Sequence, residues 1–295
     1  MKLDHVGVWT AQFDFQPASR VRDAVQELDA LGYGSIWVGE NIGREPVSQA
    51  GLLLASTSRI VVATGIANIW ARDPLATVAA QFTLAEAYPD RFILGLGVSH
   101  AHLVDSVRGH EYHQPLRVMR NYLAAMDRLG ARYRAARPTR APRVLAALGP
   151  TMLQLAAQHA DGAHTYLVTP EHTADARAVL GTGKLLVPEQ AVVLETDRTR
   201  AREIARQHLR RYLPLPSYTN NLRRYGFDDI DFTGNGSQRL VDAIVAWGSA
   251  ETVVQRVRDH YHAGADHVCI QVLDSDPRAL PDRQWRELAG VLHLR

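Results

Sequence analysis

The residues able to do chemistry stand where apolar runs end. Trp9, Glu40, Asn41, Asn68, Ser99, His100, Thr165, Tyr166, Thr196 and Gln271 each close or follow such a run. They gather most closely around residues 60–102, IVVATGIANIWARDPLATVAAQFTLAEAYPDRFILGLGVSHAH. His100 is the best acid/base candidate, because an imidazole titrates near neutral pH. Glu40 is the second. It follows Ser-Ile-Trp-Val-Gly, and a carboxylate leaving an apolar strand has to be solvated or paired. It either meets a ligand or a moving proton, or it caps or pairs with the Gly43–Arg44 loop. His100 and His102, with His110 and His113 nearby, have a His-x-His spacing that can ligate zinc. No carboxylate is spaced to complete such a site, Asp274 being the nearest at the last strand, so no metal is expected. Gly95 and Gly97 can let a ligand approach a strand backbone, and amides after Gly97 can cradle a phosphate. The same pair also suits plain tight packing. A serine nucleophile elbow, a P-loop and a Cys-x-x-Cys are all missing.

The elements that must position these residues alternate strand with amphipathic helix. Strands are expected at 4–9, 35–38, 60–67, 92–98, 143–148, 163–168, 190–195 and 267–273. Helices are expected at 19–31, 48–55, 74–87, 115–129, 150–159, 171–180, 199–213 and 238–247. Another carries Val253, Val254, Val257 and Tyr261, and a last one spans 283–292. Asp73-Pro74 is a helix start, the acid as N-cap and the proline where a missing N–H costs nothing. Residues 101–114 form a long loop. Residues 214–236 are long, irregular and aromatic, as functional loops often are. Eight strands alternating with helices predict an α/β fold, a (β/α)8 TIM barrel. A doubly wound open sheet is second, and no G-x-G-x-x-G follows the first strand.

A chain of 295 residues, 46% hydrophobic, suits one large barrel domain or two smaller domains. A net charge of +2 gives no case for nucleic acid. No apolar run spans a bilayer, and MKLDHVGVWT lacks a signal-peptide profile, so a cytoplasmic protein is expected. The single cysteine, Cys269, sits in an apolar strand as an inert thiol. The basic run Arg132, Arg134, Arg137, Arg140 and Arg143 precedes a strand, on the face opposite a barrel active site, and reads as a solvated loop.

At TGIANIWARDP, AYPDRFILGLGVSH, LGPTMLQLAAQHADGAHTYLVTPEHT and AGADHVCIQV, the chain resembles the bacterial luciferase-like superfamily. More narrowly it resembles an actinobacterial subgroup assigned to the deazaflavin coenzyme F420. The resemblance covers essentially the whole chain. It implies a single barrel domain over 1–295, with a helical and loop insertion at 197–249 before strand eight. It also implies a non-proline cis peptide at Gly65–Ile66, with Ala67 and Asn68 bordering the cofactor ring and Glu40 and Asn41 nearby. The phosphate is expected near Val98 and Ser99 and near Thr165, Tyr166, Leu167 and Val168.

Sugar-phosphate dehydrogenases of the superfamily place Asp-His after strand two and Glu after strand four. This chain has Glu40-Asn41 and His100 there, so that proton-transfer scheme does not carry over. Luciferases using FMN grip its phosphate with an arginine immediately after strand four. None stands there, which favours F420. The implied activity is hydride transfer between the deazaflavin and a small organic substrate, with His100 moving the proton. Trp9, Trp70, Tyr112 and residues 214–236 would shape the substrate pocket. The alternatives are an FMN-dependent monooxygenase, a non-catalytic flavin-binding protein and a zinc hydrolase. A homodimer is implied through the helices at 48–55 and 74–87. Leu52–Leu54, Ala79, Ala80 and Phe82 offer apolar surface for it, unless they pack on the barrel.

Overall fold

The computed structural model describes residue 3, residues 6–136 and residues 138–294. Asp4 and His5 of the expected first strand, and Arg137 of the basic run, lie outside the described residues. Eight parallel strands form the barrel wall: β1 (Val6–Thr10), β2 (Ser35–Val38), β3 (Val61–Thr64), β4 (Phe92–Gly97), β5 (Arg143–Ala146), β6 (Gly162–Thr165), β7 (Leu185–Val193) and β8 (Val268–Val272). They pair in chain order, and β8 closes the ring by pairing with both β1 and β7. This is the (β/α)8 barrel expected from the alternation of elements.

The outer helices are α1 (Ala18–Ala30), α2 (Pro46–Ala55), α3 (Pro74–Ala87), α4 (Pro115–Gly130), α5 (Pro150–His159) and α6 (Pro170–Leu180), with later helices at Ala250–His262 and Asp282–Leu292. Local chemistry starts several of them. Asp73 accepts from the amides of Leu75 at 2.8 Å and Ala76 at 3.0 Å, and Pro74 takes the first helical position.

Strand residues alternate between the helix layer and the barrel interior. Val8, Ile36, Val62 and Leu94 pack outward against the helices. Trp9, Trp37, Val61, Ala63, Ile93, Val144, Val187 and Cys269 fill the interior. Trp37 stacks on His164 with ring centroids 4.6 Å apart and donates its indole N–H to Ser35 Oγ at 2.8 Å. At the N-terminal face, carboxylates tie down strand starts. Asp29 takes the Ile60 amide, Asp161 the Arg143 amide and Asp266 the Leu186 amide.

Several expectations need correction. Strand β7 begins at Leu185 and runs for nine residues, five residues before the expected start at 190. Pro188 hides it, since proline is rare in a central strand. Strand β3 stops at Thr64, and Ala67–Asn68 forms a separate two-residue pairing with β4 beyond the cis peptide. The 101–114 loop contains a π-helix, His102–Val107. The 199–213 helix is α7 (Arg198–Leu209). Residues 214–236 are not irregular, because they hold α8 (Pro216–Arg223) and a turn at Asp229–Phe232. The next helix ends at Ile244, and Ala246–Trp247 pairs with β7. Arg143 is not part of a solvated loop. It is 5% exposed, paired with Asp127 and bonded to the His159 carbonyl. Leu53, Leu54 and Phe82 are buried, leaving Leu52 and Leu75 as the large apolar residues exposed on α2 and α3.

The insertion between β7 and β8 builds a second small core on the barrel mouth. Ala201, Ala205, Leu209, Leu222 and Leu240 pack with Leu167, Ala191 and Val193 of the barrel.

Candidate active site

The C-terminal ends of the strands build the site. The peptide Gly65–Ile66 is cis, as the resemblance implies, and it directs Ile66 across the end of β4. Two glycines make room for this bulge. A Cβ on Gly95 would lie 2.0 Å from the Thr64 carbonyl oxygen, and one on Gly97 would lie 2.4 Å from Ile66 Cδ1. Thr64 Oγ1 bonds both the amide and the carbonyl of Gly95, at 2.8 and 2.7 Å, where regular pairing stops. Trp9 lies over the bulge and donates its indole N–H to Gly65 O at 2.8 Å. The tight pair of glycines thus serves the backbone of the neighbouring strand.

Glu40 is the hub of one side. Its Oε2 accepts from the Asn68 amide at 2.6 Å and from Arg72 Nη1 at 2.8 Å, and its Oε1 accepts from Arg108 Nη2 at 2.8 Å. Its side chain is only 5% exposed. Both oxygens are therefore engaged by cations or an amide. Its partners are Arg72 and Arg108; the alternative weighed from sequence, pairing with the Gly43–Arg44 loop, does not occur. Arg44 instead bonds Gln16 O and the carboxylate of Asp14. Arg72 also holds Asn68 O and Glu45, and Trp70 bridges Asn68 Oδ1 and Val98 O. Asn41 is exposed beyond this cluster.

Arg108 is a residue that spacing did not reveal. No arginine stands immediately after β4, but the π-helix brings this one back to the mouth from eleven residues beyond Gly97. Single-turn π-helices concentrate at functional sites.

The other side is a wall of rings. Tyr166 lies 5.3 Å from Trp9 and 5.3 Å from Tyr212, and Tyr218 lies 5.2 Å from Tyr212. The Tyr166 hydroxyl donates to Gln271 Oε1 at 2.7 Å and shares a 2.8 Å bond with the Tyr212 hydroxyl. Burial, with Tyr212 and Glu189 close by, pushes the Tyr166 phenol well up, so it stays neutral. His100 lies 5.4 Å from the Tyr218 ring, and its Nδ1 meets Ser217 Oγ at 3.3 Å. Burial lowers its pKa, leaving the imidazole neutral at pH 7. His102, His110 and His113 do not join it. Among the described residues no group of three His, Cys, Asp or Glu side chains could hold a metal ion.

Sequence reasoning also missed Glu189, Tyr212 and His208, whereas Tyr218 falls within the 214–236 segment expected to border the substrate. Glu189 had a readable signal: Leu185, Val187, Glu189, Ala191 and Val193 alternate on one face once Pro188 is accepted in the strand. Tyr212 and His208 had none. Ser99 and Leu167 stand just past β4 and β6 with left-handed backbones, φ 58° each. Such residues recur at functional sites, and the Leu167 amide donates to Glu189 Oε2 at 3.2 Å.

Among the described residues, some buried polar atoms without partners lie at this end of the barrel, and others lie elsewhere, on Gln49, His164, His172, Asp282 and Trp285. Those at this end are Asn68 Nδ2, Arg108 Nε, Thr165 Oγ1, Glu189 Oε1 and His208 Nε2. Groups left this way inside a protein take a water, an ion or a ligand. Amide and guanidinium donors and a hydroxyl at the strand ends beside an apolar bulge fit a flat, hydrogen-bonding ring carrying an anionic tail.

The closed barrel with its polar groups at the C-terminal mouth defines the class: a TIM barrel with its candidate site at the usual end. Within that class the chain belongs to the luciferase-like monooxygenase family, whose model matches residues 3–267. A Mycobacterium tuberculosis protein named for a coenzyme F420-dependent oxidoreductase activity is 29% identical over 133 residues, 45% of this chain. The match spans 37% of that relative's own length. An F420-dependent secondary alcohol dehydrogenase, solved with an F420–acetone adduct, superposes with a TM-score of 0.79 at 14% identity, covering 100% of both chains. The FMN-bound oxygenating constituent of the 3,6-diketocamphane monooxygenase of Pseudomonas putida superposes at 0.71 and 13% identity, over 98% of this chain and 96% of that one. At these identities the two structures establish the shared fold.

Proposed function

We propose that this chain is an F420-dependent oxidoreductase that passes a hydride between the deazaflavin ring and a small organic substrate. The observation that carries the reading is the unpartnered Asn68 Nδ2 beside the Gly65–Ile66 bulge, with Arg108 Nε and Thr165 Oγ1 also unpartnered at the strand ends. The names of the M. tuberculosis relative and of the secondary alcohol dehydrogenase support the choice of cofactor. F420, when bound, supplies a ring carbon that carries the hydride; the protein supplies orientation, electrostatics and exclusion of water.

In this reading Gly65, Ile66, Ala67 and Asn68 back the ring, and Asn68 Nδ2 donates to its polar edge. Glu40 orients Asn68 by holding its amide while Arg72 holds its carbonyl. Glu40 is thus a positioning residue, and its engaged oxygens leave proton transfer to His100. The amides of Val98, Ser99, Tyr166 and Val168 hold the phosphate, while the Leu167 amide is taken by Glu189. Trp70, Tyr112 and the Tyr212–Tyr218 wall border the substrate, with Trp70 and Tyr112 rings 6.1 Å apart.

A second reading, an FMN-dependent monooxygenase, is favoured by Arg108 reaching the mouth, where a guanidinium could grip a phosphate. Arg108 is engaged by Glu40, which weighs against it. The deciding experiment is a fluorescence titration of the purified protein with F420 and, separately, with FMN. Saturable binding of F420 with FMN ignored is the expected result. The reverse would make the protein a flavin monooxygenase. Tight binding without turnover over a broad substrate panel would make it a binding protein.

The exposed Leu52 and Leu75 on α2 and α3, 61% and 55% exposed, support a homodimer through these helices. Light scattering on the wild type and on Leu52→Asp tests it: a dimer that the substitution splits supports the interface, and a wild-type monomer ends it.

A further inference from the structure

Glu189 is 1% exposed, in the interior of β7 beneath the ring wall. Its Oε2 accepts one hydrogen bond, from the Leu167 amide at 3.2 Å, and its Oε1 has no partner. Leu167 is the left-handed residue just past β6, in the segment proposed above to hold the cofactor's phosphate. The carboxyl therefore stands directly behind that turn and touches it at one atom.

The groups that face Glu189 come from four elements: Tyr166 past β6, Tyr212 past α7, Tyr218 on α8 and Cys269 on β8. Burial raises all four, so each is neutral at pH 7, and none offers a counter-charge. His208, against Tyr212 at 4.9 Å, is likewise held neutral. An ionised carboxylate in such surroundings is strongly disfavoured.

We propose that Glu189 is a positioning residue for the anionic part of the bound cofactor, holding the left-handed Leu167 turn from beneath through its amide while remaining an uncharged acid. The inference rests on the F420 reading. A neutral acid can support a backbone cradle without repelling the phosphate in it; a carboxylate in the same place would oppose that charge across a medium of low dielectric. Burial lifts the Glu189 carboxyl to about 8, so the change of charge falls within a testable range. Cofactor affinity therefore has a ceiling on the alkaline side that this one side chain imposes.

The test is the dissociation constant of F420, read by fluorescence from pH 6.5 to 9.5, for the wild type, Glu189→Gln and Glu189→Ala. Titration of the cofactor itself is common to the three proteins and cancels in the comparison. Glutamine keeps an acceptor for the Leu167 amide and cannot ionise. It should bind within about twofold of the wild type at pH 7 and should not share the wild type's additional weakening above pH 8, expected at about fivefold or more. Alanine removes the acceptor and should bind about tenfold weaker at every pH. Thermal melts establish whether each variant is folded, and the glutamine variant carries the test if alanine does not fold. Parallel wild-type and glutamine curves would overturn the proposal. If F420 binds none of the three at any pH, it is the cofactor reading that fails.

Discussion

Glu40 and Arg108 stand 68 residues apart in the chain and 2.8 Å apart in the structure. The contact joins the end of β2 to the segment that follows β4, and Arg72 completes the clamp from the third side. Because Glu40 is 5% exposed while Arg108 is 25% exposed, the carboxylate depends on the pair more than the guanidinium does.

Arg108→Ala leaves half of that carboxylate unpaired, and breaking such a partly buried pair costs about 1–3 kcal/mol. The loss should show as a lower melting temperature together with weaker F420 binding. Glu40→Gln should weaken binding as well, since a glutamine cannot satisfy two guanidinium groups and an amide. A melting curve and a titration check both. Unchanged affinity in both variants would show that the clamp does not organise the site.

His100→Ala should lower turnover by a factor on the order of 10²–10⁴, with F420 affinity within about twofold. A fall of tenfold or less would remove His100 as the principal acid or base. Its pKa is lowered by burial, so the limb of the rate profile that it governs should lie on the acid side of neutral.

The glycine at 95 is tested by Gly95→Ala. The new methyl would meet the Thr64 carbonyl oxygen at 2.0 Å, and that neighbour is backbone, which cannot swing aside. Overpacking of this kind costs about 1–3 kcal/mol. Urea denaturation should record the loss. Gly149→Ala, with open space at its Cβ, is the control and should have little effect.

Stability against pH follows from buried histidines. Burial pushes His164 down to about 4 and His208 and His260 to about 3, with nearby cations adding to the last two. Each is neutral in the folded chain and gains a proton on unfolding once the pH is below its ordinary value of about 6.5. Their contribution is complete above that value and is lost as pH falls toward 3–4. Between pH 7 and 5 each neutral histidine should cost about 2 kcal/mol, before opposing carboxylate effects. Glu189 acts in the opposite sense. Raised to about 8, it favours the folded state at low pH, and that contribution is lost as pH rises from its unfolded value through 8. Denaturation at pH 5, 7 and 9 on the wild type, His208→Phe and Glu189→Gln separates them. The first variant should lose less stability on acidification, the second less on alkalinisation.

The sequence by itself determined the barrel. Strand and helix periodicities are local, and Asp73-Pro74, the apolar run at Phe92–Gly97 and the alternation around them are readable without tertiary information. It also placed Glu40, Asn68, Ser99, His100 and Tyr166 at strand ends, because the strands point one way and their ends share one face. Tertiary structure alone decided what those residues touch. Arg108 returns to Glu40 through a π-helix whose path no spacing encodes. Tyr212, Tyr218 and His208 reach the mouth on an insertion held there by its own core. Glu189 lay in a strand that Pro188 disguised, and closure of the barrel, not its neighbours in sequence, took away its water. Contacts between distant segments come from packing summed over the whole chain, and so does the burial that sets a side chain's charge; a local pattern carries neither.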